Sequence, residues 1–209
     1  MDEDDAITVN GGAGTTIARI SDELDLSDDN IGGVDQLVLE EDAVLTLDIA
    51  QLIAIDYANI SVIKENGDPA DDTDPADNAD LHIVGFGSTD TFDATQLDVN
   101  INVLSITLEP GDVVLDSSVN LTGVGQIIVQ EGGSITLTAD QFQQLADEGT
   151  IVGIDAGGNA STDFTVNITG LTNANITRDL DGDGYGDLDD GFDLSDVDAD
   201  NIIVTLGEP

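Results

Sequence analysis

The sequence predicts an all-β fold, a parallel β-helix of coils of about 22 residues grouped in repeats of about 45, with short helical turns. Three observations predict it. Runs of alternating apolar and polar residues lie between turn-forming Gly, Pro, Asp and Asn at strand-like intervals. "TLDIAQL" at 46–52, "TFDATQL" at 91–97 and "TLTADQF" at 136–142 recur at a spacing of 45. Finally, "ITLEPGDVVL" from Ile106 resembles "IVQEGGSITL" from Ile128 at a shift of 22, with Gly111 over Gly133, Val113 over Ile135 and Leu115 over Leu137. In a β-helix each strand pairs with its equivalent in the next coil, so a half-period of this size is one coil. A β-sandwich of the same strands is the alternative, whereas three 45-residue units are too few blades to close a propeller.

The elements follow in order. Residues 1–23 hold N-terminal strands, "AITV" from Ala6 and "TIARI" from Thr16, a candidate assembly segment. Residues 24–158 carry the repeats, interrupted by an acidic insertion at 66–80. Upstream of each Gln-containing motif lies a strand ("LVL" 37–39, "HIV" 82–84, "IIV" 127–129), and downstream another ("ISVI" from Ile60, "SITL" from Ser105, "TIVGI" from Thr150). A helical turn follows each Thr-containing strand. The clearest is "TADQFQQLADEG", where Thr138 caps the first amides, Phe142 and Leu145 share a face and Gly149 ends the helix. Thr46, Thr91 and Thr136 are read as strand formers rather than as an ice-binding array. Residues 159–209 hold a calcium-loop segment and the start of a further repeat, since "LDLSDDNIGG" at 24–33 reappears as "FDLSDVDADN" at 192–201 and "NIIVTL" from Asn201 echoes "QIIVQE" from Gln126. An uncapped apolar strand exposes unpaired backbone groups, so the terminal strands are expected to join neighbouring subunits, or neighbouring repeats of a longer chain. A covering loop within one chain is the alternative.

Charge narrows the partners. Against 45 acidic residues stand only Arg19, Lys64 and Arg178, giving a formal net charge of −42, and 36 of the acids are Asp. Such a chain repels phosphate backbones and anionic membrane surfaces, which excludes nucleic acid and lipid as partners and favours cations. No stretch is apolar enough to insert in a membrane, and the start "MDEDDAITVN" lacks the basic and apolar regions of a signal peptide. Export would use a signal already removed or a route without one. The absence of cysteine rules out disulfides and thiolate ligands.

The cation is read from "DLDGDGYGDLDD". Calcium takes six to eight oxygen ligands, and a twelve-residue loop supplies them from positions 1, 3, 5, 7, 9 and 12 with a glycine at 6. Asp179, Asp181, Asp183, Tyr185 (through its carbonyl), Asp187 and Asp190 occupy those positions, with Gly184 at the turn. Over these twelve residues the segment resembles the calcium loops of EF-hand, dockerin and thrombospondin type 3 proteins. It departs from an EF-hand in ending on Asp190 rather than Glu and in lacking flanking helices, so it is read as a structural clip rather than a sensor. Two weaker clusters could hold further Ca2+: Asp68, Asp71, Asp72, Asp74, Asp77 and Asp80 in the insertion, and Asp193, Asp196, Asp198 and Asp200 after the loop.

Catalysis is not expected. His82, the only histidine, sits in the alternating run "LHIVGF" as a strand-face residue, and the chain offers no Ser/His/Asp or zinc constellation. Lyase chemistry on acidic polysaccharide would require basic residues that are scarce here. Aspartate pairs could hydrolyse a glycoside, but the chain has five Phe, two Tyr and no Trp for sugar platforms. A halophile's surface or binding domain is a separate reading of the acidity. Five Asn-x-Ser/Thr sequons, at Asn59, Asn120, Asn159, Asn167 and Asn175, would matter in a glycosylating organism. The repeat style over residues 24–158, with the calcium loop, resembles the secreted β-solenoid repeat proteins of prokaryotic surface layers, adhesins and biofilm matrices. That resemblance implies an extracellular or cell-surface structural protein whose partners are other copies of itself or neighbouring repeats, with a cell-surface polysaccharide as a further possibility.

Overall fold

The computed structural model describes residues 14–64, 68, 70, 77–145, 150–172, 194, 197 and 199–207. The fold is all-β, with two short α-helices. The chain divides into two compact units, Met1–Gly85 with Thr95–Leu104 and Phe86–Ala94 with Ser105–Pro209. In both, most consecutive strands go alternately to one sheet and then to a second.

The first unit holds β1 (Ile17–Ile20), β2 (Glu23–Asp25), β3 (Gln36–Glu40), β4 (Val44–Asp48), α1 (Ile49–Ile55), β5 (Ile60–Ile63), nearly all of β6 (Ala79–Phe86) and the first half of β7 (Ile101–Leu108). One sheet runs β1-β3-β5 and the other β2-β4-β6-β7. Pairing is parallel and in register: Leu37 opposite Ile60, Leu39 opposite Val62, Leu45 opposite Leu81 and Leu47 opposite Ile83. Alternation explains the register. In β3 and β4 every second residue is buried, and a slip by one would turn each leucine to solvent. Asp42, at φ 65, makes the turn between them.

The second unit holds the rest of β7, β8 (Asp112–Val114), β9 (Gln126–Gln130), β10 (Ser134–Thr138), α2 (Ala139–Phe142), β11 (Thr150–Ile154), β12 (Ala160–Ser161), β13 (Thr165–Leu171) and β14 (Asn201–Leu206). Its sheets run β7-β9-β11-β12 and β8-β10-β13-β14. Only β12 pairs antiparallel, closing its sheet against β11. The partners proposed by the shift of 22 meet in one sheet, where Ile135 lies opposite Val113 and the Leu115 amide donates to Thr136; in the other, Ile106 lies opposite Ile127, one residue short of the aligned Ile128. Stacking also explains Gly111 over Gly133. A Cβ on Gly133 would sit 2.6 Å from the Gly111 carbonyl oxygen, too close for any side chain.

The recurrent glutamine has a physical cause. Asp48 caps α1 and Thr138 caps α2, each in a capping box whose third residue is Gln51 or Gln141. The carboxamide oxygen accepts the cap residue's amide, at 2.8 Å for Asp48 and 3.0 Å for Thr138. The amide nitrogen donates twice to the preceding turn: Gln51 to the carbonyls of Leu26 (2.6 Å) and Asp29 (2.7 Å), Gln141 to those of Asp116 (2.7 Å) and Val119 (3.1 Å). In both cases the acceptors lie 25 and 22 residues upstream. One side chain thus starts a helix and fastens it to the turn before.

Two local expectations change. The α2 helix stops at Phe142 instead of running towards Gly149, which lies outside the described residues; Gln144 and Leu145 donate three residues back, tightening the end into a turn. In the middle repeat Thr91 is not in a strand. The Gly87–Asp90 turn, closed by the Gly87 amide on the Asp90 carboxylate at 2.8 Å, precedes it, and only a 3₁₀ turn (Ala94–Gln96) follows.

Replacing Gln141, 3% exposed, by Ala strands two carbonyls and uncaps α2, and should lower unfolding free energy by about 2–3 kcal/mol in urea titrations. Gln141→Glu should not restore it, because a carboxylate keeps the acceptor and loses both donors; wild-type stability in that variant would refute the stitching role.

Candidate functional site

The principal candidate calcium ligands, Asp179, Asp181, Asp183, Tyr185, Asp187 and Asp190, lie outside the described residues, as do Asp71, Asp72, Asp74, Asp193, Asp196 and Asp198. Four acidic candidates are described. Asp77, 5% exposed, forms an ion pair with Lys64 Nζ at 2.6 Å, so the chain's only lysine neutralises a buried carboxylate. Asp68 accepts the Lys64 amide through its backbone carbonyl at 2.9 Å. Asp80 points outward from β6 and accepts from Asn102 Nδ2 at 3.2 Å, while Asn78 Nδ2 donates to Asn102 Oδ1, a short amide ladder along the sheet. Asp200 accepts from Thr162 Oγ1 at 2.8 Å and donates its own amide to the Thr162 carbonyl. Among the described residues no three acidic or histidine side chains gather in a way that could hold a metal.

The described residues do frame the calcium-loop segment. Before it, β13 ends at Leu171; after it, Val197 is buried and bridges Ile151 in parallel, and Asp200 is tied to Thr162. The chain then enters β14, which pairs with β13 in parallel from Thr165 opposite Asn201 to Leu171 opposite Leu206. Both flanks of the acidic segment are therefore fastened to one unit.

The β14 strand is the most unusual surface described. It closes the order β14-β13-β10-β8, and none of its residues is buried. Its inward positions, Ile202 and Val204, lie opposite the fully buried Val166 and Ile168, yet each remains 36% exposed; outward Ile203 is 52% exposed, and Leu206, opposite the buried Leu171, is 75% exposed. In the first unit β1 has a comparable place, pairing only with β3 among the described residues and exposing Ile17. Beside it Arg19 pairs with Glu40 at 2.6 Å.

His82 is half-buried in β6, between inward-facing Leu81 and Ile83. No helix among the described residues is long and apolar enough to cross a membrane. Sequence reasoning overlooked two features. The edge-closing β12 is only two residues long, too short for an alternation signal. The double role of Gln51 and Gln141 was detectable, since the 45-residue spacing already singled out the residue. Comparison with known proteins gives no match to a family model, to a curated protein or to a solved structure.

Turn carboxylates supply a pH test. Asp155 accepts the amides of Asn159 and Gly157, and Asp116 accepts from Ser118; these hydrogen bonds lower both pKa values below 3.8. The stabilisation is present above the unfolded pKa and is lost as pH falls through the lowered folded pKa. Carboxyl-carbon NMR titration should place both midpoints below 3.8, and ordinary aspartate midpoints would show that the turns are open in solution.

Proposed function

We propose that this chain is a calcium-binding extracellular structural protein, a β-solenoid that associates into a fibre, matrix or surface layer. The observation that carries this reading is β14, a strand paired in parallel on one side, exposed on the other and apolar on both faces. The solenoid reading is supported by parallel pairs at offsets of 21 to 23 residues, with Ser134 on Asp112, Ile106 on Ile127 and Leu37 on Ile60, although other parallel pairs step by 19, 31 and 36. The single antiparallel pair among the described residues is a sheet edge. Parallel stacking of equivalents leaves a repeating edge, the geometry of an extendable protein.

Calcium is supported by the donor set. Asp179, Asp181, Asp183, Asp187 and Asp190 with the Tyr185 carbonyl form an all-oxygen set at calcium-loop spacing, which fits a hard divalent cation and offers no nitrogen or sulfur to a softer one. A loop with a dissociation constant of about 0.1–1 mM fills in millimolar external calcium and stays empty at cytosolic levels. Ion binding would neutralise part of the −42 charge that opposes association. A second reading, a calcium-stapled domain of a longer adhesin, is favoured by the Val197–Ile151 bridge, which starts a coil that β14 continues.

Calcium, and not magnesium or molar potassium chloride, should raise the melting temperature and drive association in light scattering. The Asp181→Asn, Asp183→Asn double variant should lose most of that thermal gain. An undiminished gain would place the important ion elsewhere, and an equal response to potassium chloride would favour a halophile's acidic coat.

A further inference from the structure

We propose that β14 of one copy pairs in parallel with β1 of a second copy, continuing one sheet across the junction. This deepens the assembly reading and rests on it. Other sheet edges among the described residues are closed or charged. Next to β5 the Ala70 amide reaches the Val62 carbonyl; at β8 the Val114 amide donates to Ser88 Oγ; β12 is an antiparallel cap; and β2 presents exposed Glu23 and Asp25. Among the described residues, β1 and β14 are the edge strands that carry no carboxylate and are not covered on their outer side.

Charge selects the occupant. In a chain of net charge −42, two copies approach least unfavourably where neither presents an acid. Residues 201–207 carry no charged side chain, and residues 14–20 carry only Arg19, whose charge Glu40 balances, so the junction is neutral against neutral.

Side-chain pattern selects the register. Along β8, β10, β13 and β14 each strand places apolar residues over the same columns: Val113, Ile135, Val166 and Ile202 in one, Leu137, Ile168 and Val204 in another. A further parallel strand must present apolar residues two positions apart. In β1, Ala18 and Ile20 are so spaced and face inward, opposite the buried Leu37 and Leu39. Placing Ala18 against Ile202 and Ile20 against Val204 covers both half-exposed residues of β14. It also sets outward Arg19 beside outward Ile203, where its aliphatic stem lies along the isoleucine. The interface is heterologous, so it propagates instead of closing a two-fold dimer.

Cysteine trapping tests this with the full chain, which has no cysteine of its own. Copies carrying Arg19→Cys are mixed with copies carrying Ile203→Cys in calcium under mild oxidation; facing residues of paired strands lie within disulfide reach. The expected product is a mixed disulfide between positions 19 and 203, which tandem mass spectrometry identifies. Val204→Asp should raise the concentration midpoint of association about tenfold, because a carboxylate would be buried without a partner, and should leave the melting temperature of the monomer nearly unchanged. Only 203–203 disulfides, or an unaltered midpoint in Val204→Asp while the chain still associates, would overturn this pairing and leave the assembly reading standing. A wild-type chain that stays monomeric at every calcium and protein concentration would overturn both.

Discussion

Nearly every strand described in this protein pairs in parallel with another, and that pairing controls what each position will accept. Parallel partners lie side by side in register, so an inward side chain lands on the inward side chain of the partner strand, and turns stack likewise. Leu37, Leu39, Ile60 and Val62 form such columns in the first unit, and Val113, Ile135 and Val166 do so in the second. Where a bend must also stack, the ladder selects against side chains altogether, as at Gly133 over the Gly111 carbonyl. The Gln51 and Gln141 stitches answer the same demand. A helix inserted after a strand would leave the preceding turn's carbonyls unpaired, and one carboxamide satisfies them while capping the helix.

Aspartate has two uses in this ladder, and they can be told apart. Asp25, Asp48, Asp90, Asp98, Asp116 and Asp155 each accept a backbone amide within a turn or cap. A shorter side chain than glutamate is what such local bonds require. Part of the excess of Asp over Glu is therefore architectural and says nothing about ions. The argument for calcium has to come from spacing, and only the 179–190 segment supplies spacing at every ligand position.

Most strands were legible because repetition and alternation report the same structure independently. The three families spaced by 45 residues all include strands, β3, β6 and β9 upstream and β5, β7 and β11 downstream, and the shift of 22 holds between β8 and β10 but is 21 between β7 and β9. The failures have local causes. Thr91 aligned with Thr46 and Thr136, but the turn closed by Asp90 displaces the strand that the motif led one to expect. The length of α2 was overread, because a strong cap at Thr138 marks where a helix begins and carries no information about its end. At the candidate site, the exposed apolar edge at β14 followed from the "NIIVTL" echo, whereas the Lys64–Asp77 ion pair did not, since nothing in sequence separates an ion-paired aspartate from its acidic neighbours.

The departures from the regular offset show where the chain has freedom to carry function. Ser134 sits over Asp112 at 22 residues, and Leu37 meets Ile60 at 23; but Val44 meets Asp80, and Thr165 meets Asn201, at 36. The surplus in the first long step contains the acidic insertion, and the surplus in the second contains the calcium-loop segment. Neither surplus is required by the ladder, since the strands on both sides pair in register. The inward columns fix the fold, whereas the exposed edges and the surplus between paired strands are where the proposed joining and ion binding would take place.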